Sequence, residues 1–87
     1  MARYSLRIKQ SAATEIEAVA RKSDRRRIVE RIYALGDDLR PTGCEKLAGY
    51  TNRYRVRQGT HRIVYSVDDD VRAVDIVKIG RRREVYR

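Results

Sequence analysis

The sequence predicts an α+β fold in which two N-terminal helices pack on one face of a small, mainly antiparallel four-stranded sheet, in the order β-α-α-β-β-β. Three observations support this prediction. Two stretches with apolar residues at helical spacing follow one short alternating segment. Three further alternating segments, separated by turn residues, follow the helices. At 87 residues the chain has the length of a single small domain, which we place at 1–87.

The first strand is expected at residues 4–8, where polar and apolar residues alternate and Leu6 and Ile8 face inward. Ser11 is then expected to cap the first helix, because its hydroxyl can accept a hydrogen bond from a free backbone N–H group. The apolar positions of that helix are Ala12, Ile16, Val19 and Ala20.

The second helix is expected to begin near Ser23 and Asp24, which are both good N-cap residues. Its apolar stripe consists of Ile28, Ile32, Leu35 and Leu39. Gly36 and Pro41 mark its end, since neither residue favours continuation of a helix. The run 25–27 is three arginines on the exposed side, and we interpret it as a solvated helix face.

The second part of the chain predicts a loop at 40–52 and then strands at 53–57, 60–67 and 72–79. Short connections at Gly59 and at the acidic turn 68–70 make neighbouring strands antiparallel. One side of these strands is apolar and should lie under the helices. Its residues are Tyr54, Val56, Ile63, Tyr65 and Val67.

The opposite side of the same strands is strongly basic. Because side chains two apart on a strand point the same way, Arg53, Arg55 and Arg57 share one face. Arg62 can join them if the register of the hairpin allows it; the alternative is that Arg62 pairs with an acidic residue such as Asp75. Adjacent guanidiniums repel one another, and a phosphate chain is the anion that their geometry fits best.

The composition limits the possible partners. A net charge of +9 favours binding to nucleic acid, to an anionic membrane surface or to an acidic protein. The single cysteine, Cys44, excludes an internal disulfide and a cysteine-rich metal site, and it suits a reducing cytosol. No apolar stretch approaches the length of a signal peptide or a membrane span, so we expect a soluble, cytoplasmic protein without membrane partners.

No familiar catalytic constellation, metal site or cofactor motif is present in the sequence. The acidic run 68–70 is interpreted as a solvated turn. His61 falls on the core-facing side of its strand, so a packed or edge-exposed side chain is favoured over acid–base chemistry. An enzyme of this kind therefore needs a substrate that brings its own reactivity. RNA does so, because its 2′-hydroxyl can attack the adjacent phosphate once the protein orients it and stabilises the growing charge.

Four short segments occur in a fixed order along the chain. They are Lys46-Leu47-Ala48-Gly49, Tyr54-Arg55-Val56-Arg57, Gly59 with Arg62-Ile63-Val64-Tyr65, and Gly80-Arg81-Arg82-Arg83-Glu84-Val85-Tyr86. In this order they resemble the RelE-type toxins of the RelE/ParE toxin–antitoxin superfamily, over nearly the whole chain. The RelE branch cuts messenger RNA in the ribosomal A site. The resemblance thus implies a RelE-like fold and a ribosome-dependent endoribonuclease, or mRNA interferase, held inactive by a cognate antitoxin.

The same resemblance implies roles for individual residues. Arg55 and Arg57 match two basic positions that are lysines in the best-known member. Arg62 and Arg82 match arginines that would clamp the scissile phosphate, and Tyr86 matches a terminal tyrosine that would stack on a base or accept the 2′-hydroxyl proton. The remaining basic residues, expected to bind RNA or the ribosome, are Lys46, Arg53, Arg81 and Arg83.

Arginine at the lysine positions changes the chemistry, because a guanidinium is not expected to give up a proton as a general acid. Arg55 and Arg57 are instead expected to stabilise charge and to lower the pKa of Tyr86. The ParE branch has the same fold but poisons DNA gyrase, so a gyrase inhibitor remains the alternative, together with a nuclease-inactive binding module. Promoter DNA would be contacted only through the antitoxin complex.

Overall fold

The computed structural model describes residues 3–81, which form two helices and five strands. In chain order these are β1 Ser5–Ile8, α1 Gln10–Glu17, α2 Lys22–Leu35, β2 Glu45–Lys46, β3 Arg53–Gln58, β4 His61–Asp68 and β5 Ala73–Arg81. The α+β class, with two helices preceding the main part of the sheet, is confirmed. The expected count of four strands was one too low.

The additional strand is β2, which lies inside the segment 40–52 that was expected to be a loop. It pairs antiparallel with β3, with Glu45 opposite Arg55 and Lys46 opposite Tyr54. A strand of two residues is too short to produce an alternating pattern, so its sequence carries no strand signal.

The strands lie in the order β1-β5-β4-β3-β2. The antiparallel pairing of β3 with β4 and of β4 with β5 confirms the prediction from short connections. The edge strand β1 pairs parallel with β5, with Ser5 opposite Ala73 and Ile8 opposite Ile76. The rule for short connections does not apply to β1, because two helices and three strands separate it from its partner.

Both helices begin earlier than predicted. Lys9 is the N-cap of α1 and Arg21 is the N-cap of α2, and neither makes a side-chain capping hydrogen bond. Ser11 and Asp24, like the adjacent serine, lie within the first turns, so the predicted caps were wrong. The first N–H groups of a helix can be left to water when its first turn is exposed, as around Ser11.

The core lies between the helices and one face of the sheet. Its apolar residues from the helices and their connection are Ala12, Val19, Ile28, Ile32 and Leu35, and those from the strands are Tyr54, Val56, Ile63, Tyr65, Val67, Val74, Ile76 and Ile79. The predicted apolar face of the strands is therefore confirmed, and so is the stripe of the second helix at Ile28, Ile32 and Leu35, whereas Leu39 lies beyond the end of α2. Leu39 and Leu6 are partly buried against this core.

Three predicted core positions behave differently. Ile8 is 45% exposed, because it ends the edge strand β1. Val19 is buried although it follows the end of α1, and Ala20 is exposed. The first helix is thus shorter than the apolar spacing indicated, and Val19 reaches the core from the connection between the helices.

Two stacked tyrosines pack on the core side of the sheet, beneath the arginines of β3. The rings of Tyr54 and Tyr65 lie 5.7 Å apart at 25°. The Tyr65 hydroxyl donates a hydrogen bond to the carbonyl of Leu39 at 2.7 Å, and the Arg40 Nε donates to the Tyr54 hydroxyl at 3.1 Å. Burial raises the pKa of Tyr65 well above its ordinary value, so the hydroxyl remains a donor.

Within residues 3–81, neither helix has the length and apolar character needed to cross a membrane.

Candidate nucleic-acid interface

The face of the sheet opposite the helices carries the predicted arginines. In the register of the β3–β4 hairpin, Arg57 lies directly opposite Arg62, and Arg55 lies opposite Val64. Residues directly opposite each other in a sheet project to the same side. Arg53, Arg55, Arg57 and Arg62 therefore share one face, as predicted, and we call it the arginine face.

The arginines differ in how firmly they are held. The Arg62 side chain is only 7% exposed, whereas Arg57 is exposed near the turn of the hairpin. Arg55 is largely buried, between Val64 on β4 and Glu45 on the edge strand β2. A buried guanidinium loses little conformational entropy when it binds an anion. Among the arginines of this face, Arg62 is therefore the best pre-organised to donate hydrogen bonds to a phosphate.

An acidic residue that the sequence did not single out lies in this face. Glu45 on β2 is opposite Arg55. Its Oε1 lies 3.3 Å from Arg55 Nε and 3.5 Å from Arg62 Nη1, and its Oε2 lies 3.4 Å from Arg55 Nη2. Arg62 therefore both lies on the arginine face and pairs with an acidic residue, which the sequence had left as alternatives, but this acidic residue is Glu45 and not Asp75.

That residue, Asp75, has another partner. Arg7 donates to both of its carboxylate oxygens, from Nε at 2.6 Å and from Nη2 at 2.9 Å. The register explains the difference, because Asp75 is opposite Ser66 whereas Arg62 is opposite Gly80. The spacing of residues along the chain predicted neither the pairing of Arg7 with Asp75 nor that of Arg62 with Glu45.

The surroundings of Glu45 keep it ionised. The hydrogen bond and charge of Arg55, together with the charges of Arg62 and Arg57, hold the pKa of the Glu45 carboxyl below its usual range. Glu45 therefore offsets part of the positive charge of the arginine face at neutral pH. A phosphate that binds between Arg55 and Arg62 has to compete with this carboxylate.

Arg53 extends the arginine face toward the loop before β3. Its guanidinium carbon lies 4.3 Å from the centre of the Tyr50 ring, which is a cation–π contact. Its Nε is buried and has no hydrogen-bond partner within residues 3–81. Arg53, which was predicted to bind RNA, thus lies beside Arg55 on the arginine face.

Two of the predicted RNA-binding residues lie elsewhere. Lys46 is exposed but opposite Tyr54, so its side chain belongs to the helix side of the sheet. Arg81 is opposite His61, which has the same parity as the core residue Ile63. The structure therefore does not bring Lys46 or Arg81 onto the arginine face. Arg82, Arg83 and Tyr86 lie outside the described residues.

His61 faces a separate cavity of about 590 Å³ at the end of the sheet, on the helix side. Glu15, Asp24, Arg21 and Arg81 also line this cavity. His61 Nδ1 lies 3.5 Å from the Thr60 hydroxyl. The imidazole is thus on the core-facing side of the sheet, as the parity of its strand predicted, and is directed away from the arginine face.

The described part of the arginine face can bind and stabilise anions. Its guanidiniums supply fixed positive charge, but they do not lose a proton at neutral pH and so cannot act as general acids. Across residues 3–81, no group of three histidine, cysteine, aspartate or glutamate side chains is arranged to hold a metal ion. The chemistry that this surface can support is phosphate recognition and charge stabilisation.

Comparison with solved structures places this geometry in a known fold. The archaeal RelE–RelB complex from Pyrococcus horikoshii contains a chain with 26% identity and a TM-score of 0.81, over 93% of this chain and 97% of that chain. The isolated RelE toxin of E. coli has 24% identity and a TM-score of 0.78, over 95% and 90% of the two chains. YoeB from Staphylococcus aureus, solved as a dimer, has 26% identity and a TM-score of 0.71, over 88% and 94%.

No curated protein sequence matches the chain significantly. A family model described as the ParE toxin of type II toxin–antitoxin system, parDE, matches residues 6–86. This match begins at the second residue of β1, includes all the other described helices and strands, and extends past Arg83. The chain therefore belongs to the ParE toxin family of type II toxin–antitoxin systems, within the RelE/ParE superfamily.

Proposed function

We propose that this toxin is a ribosome-dependent endoribonuclease that cleaves messenger RNA in the ribosomal A site. The observation that carries the proposal is the arginine face, in which the buried Arg62 lies directly opposite the exposed Arg57 and beside Arg55. Folding alone does not require several like charges on one face, and bidentate guanidiniums suit the oxygens of a phosphate. The specific target, messenger RNA in the ribosomal A site, is inferred from the resemblance to RelE-type toxins.

In the proposed reaction the 2′-oxygen forms a bond to the adjacent phosphorus and the bond to the 5′-oxygen breaks. The products are a 2′,3′-cyclic phosphate and a 5′-hydroxyl. Arg55, Arg57 and Arg62 stabilise the negative charge that grows on the phosphate, together with Arg82. Such charge stabilisation is usually the largest single contribution to catalysis.

The protons need separate groups, because the arginines cannot supply them. Tyr86 is proposed to accept the proton of the 2′-hydroxyl, helped by nearby cations that favour the phenolate. Water is proposed to protonate the leaving 5′-oxygen. Glu45 competes with the phosphate for Arg55 and Arg62, so it moves aside when RNA binds.

The proposed protein partner is a cognate antitoxin. The archaeal RelE with a similar fold was solved with RelB. In this chain a basic face coexists with exposed apolar surface on the helices, where Tyr33 is 58% exposed beside Ile16 and Val29. We therefore expect an antitoxin with acidic residues and an amphipathic helix. Production without the antitoxin should arrest growth, and normal growth with abundant folded protein would contradict a toxin role.

A second candidate function has its own support, because the matching family is named for ParE. In that case the toxin inhibits DNA gyrase and does not cut RNA. The fold is shared by both branches and does not decide between them.

One experiment separates these functions. Purified toxin is added to a reporter mRNA in a translating extract, to the same mRNA without ribosomes, and to gyrase with relaxed plasmid. Cleavage that requires translation supports the proposal, and primer extension then maps the cut within the codon. Inhibited supercoiling without cleavage would establish the gyrase function. Absence of both effects, with folded protein, would leave a nuclease-inactive binding module. Arg57→Ala, with Arg26→Ala on α2 as the matched control, tests whether the arginine face is responsible.

A further inference from the structure

A second feature of the arginine face is a cavity of about 320 Å³ between β1, β5 and β3. Arg7, Arg53, Ser66 and Asp75 are among its lining residues. These four form a row across the sheet, since Arg7 is opposite Asp75, Asp75 is opposite Ser66, and Ser66 is opposite Arg53. The cavity therefore lies next to the phosphate-binding arginines and on the same side of the sheet.

The polar groups of this cavity can recognise the edge of a nucleobase. The Asp75 carboxylate is fixed by two hydrogen bonds from Arg7, at 2.6 and 2.9 Å. Each carboxylate oxygen can accept a further hydrogen bond. Carboxylates accept from the amino group of cytosine, and a serine hydroxyl such as that of Ser66 can donate or accept.

The stacking surface is supplied by Arg53, whose guanidinium packs on the Tyr50 ring. The Tyr50 ring is 52% exposed, although it is a large aromatic side chain in a loop. Arg53 is held against it at 4.3 Å and also borders the cavity. Unpaired RNA bases stack on tyrosine rings and on arginine guanidinium planes.

We propose that this cavity, with Tyr50, Arg53 and Asp75, is a binding site for one unpaired nucleobase of single-stranded RNA. The base stacks on the Arg53 guanidinium, which is held against Tyr50, and its amino-bearing edge donates to Asp75, so adenine, cytosine and guanine are preferred over uracil. Arg53 and Arg55 are two residues apart on a strand, or about 6.6 Å, which places the base next to the phosphate held by Arg55, Arg57 and Arg62. The inference rests on the proposed function in one respect, that the arginine face binds RNA.

The test measures binding without cleavage. Fluorescence anisotropy is recorded for the full chain with labelled RNA hexamers that carry 2′-O-methyl groups and differ at one position, which is cytosine, guanine, uracil or an abasic sugar. Tyr50→Ala should lower affinity for the hexamers with cytosine or guanine by about fivefold or more, and it should leave the abasic hexamer unchanged. Tyr33→Ala is the matched control, because Tyr33 is equally exposed but lies on α2.

A second variant tests the edge recognition. Asp75→Asn should remove the preference for cytosine and guanine over uracil while the uracil hexamer still binds, and its melting curve checks that loss of the Arg7 contact has not unfolded the protein. Equal losses by Tyr50→Ala on base-containing and abasic hexamers, or no loss on either, would overturn the proposal. An Arg55/Arg57 double alanine variant that binds all hexamers like the wild type would instead remove the phosphate-binding role of the arginine face, which is a separate failure.

Discussion

Replacing Arg55 and Arg57 together by alanine should weaken RNA binding and make it less sensitive to salt. Both guanidiniums lie on the arginine face beside Arg62. Each one that contacts a phosphate displaces a condensed counterion from the RNA. Arg57 is exposed, whereas Arg55 is held by Glu45, so the double variant also leaves Glu45 with Arg62 as its remaining salt-bridge partner among residues 3–81.

The size of the effect follows from the number of contacts. For single-stranded nucleic acid each phosphate contact contributes about 0.7 to the slope of log affinity against log salt concentration. Two lost contacts lower the slope by about 1.4. Between about 50 and 200 mM salt the advantage of the wild type over the variant should therefore shrink by about sevenfold.

The assay is fluorescence anisotropy with a labelled single-stranded RNA at several salt concentrations. The matched control is an Arg26/Arg27 double alanine variant, which removes the same charge from the exposed side of α2. Its slope should stay close to that of the wild type, because only the overall charge changes. If both double variants have the same slope, the RNA is attracted by net charge, and the arginine face is not its binding site.

Further variants test separate parts of the structure. Glu45→Gln should raise RNA affinity in the same assay, since it removes a competing carboxylate; unchanged affinity would exclude the competition. Arginine contacts lower the pKa of Glu45 in the folded protein. Its ion pairs therefore stabilise the fold fully at pH values above the ordinary carboxyl pKa. This stabilisation is lost as the pH falls through the lower pKa of the folded state. The melting temperature of the wild type should therefore fall more than that of Glu45→Gln between about pH 5 and pH 3. Tyr65→Phe should cost about 1 to 2 kcal/mol in urea unfolding, since the Leu39 carbonyl loses its donor, whereas Tyr33→Phe should change nothing. Tyr86→Phe should slow single-turnover mRNA cleavage by about 10² to 10⁴, with ribosome binding retained; a loss of only about threefold would show that the hydroxyl is not needed.

The β3–β4 hairpin could be predicted from sequence because two local signals agree there. Arginines alternate with Tyr54 and Val56 along β3, and Gly59 supplies the positive φ of 61° that the tight turn requires. Together they determine the register, and the register determines that Arg57 and Arg62 are neighbours. Most of the candidate site follows from this one hairpin.

The missing parts of the site depend on contacts between distant segments. Glu45 enters the arginine face through a strand of two residues, and no periodicity marks so short an element. The Arg7–Asp75 pair depends on parallel pairing of β1 with β5, which is set by the whole topology. The burial of Arg62 is likewise a property of the assembled sheet. These features join residues far apart in the chain, so local patterns do not predict them.

The position of β1 also bears on how fast the chain acquires its structure. Ser5 pairs with Ala73, and Arg7 pairs with Asp75, so the first strand has no partner in the sheet until the fifth is present. Closing a loop of this length costs conformational entropy before the contacts that offset this cost can form. Sheets with such distant pairings therefore fold slowly. We expect the β3–β4 hairpin to form early and the docking of β1 on β5 to come late in folding. A late step of this kind leaves an interval in which newly made chains expose strand edges and are open to proteolysis or to capture by a partner.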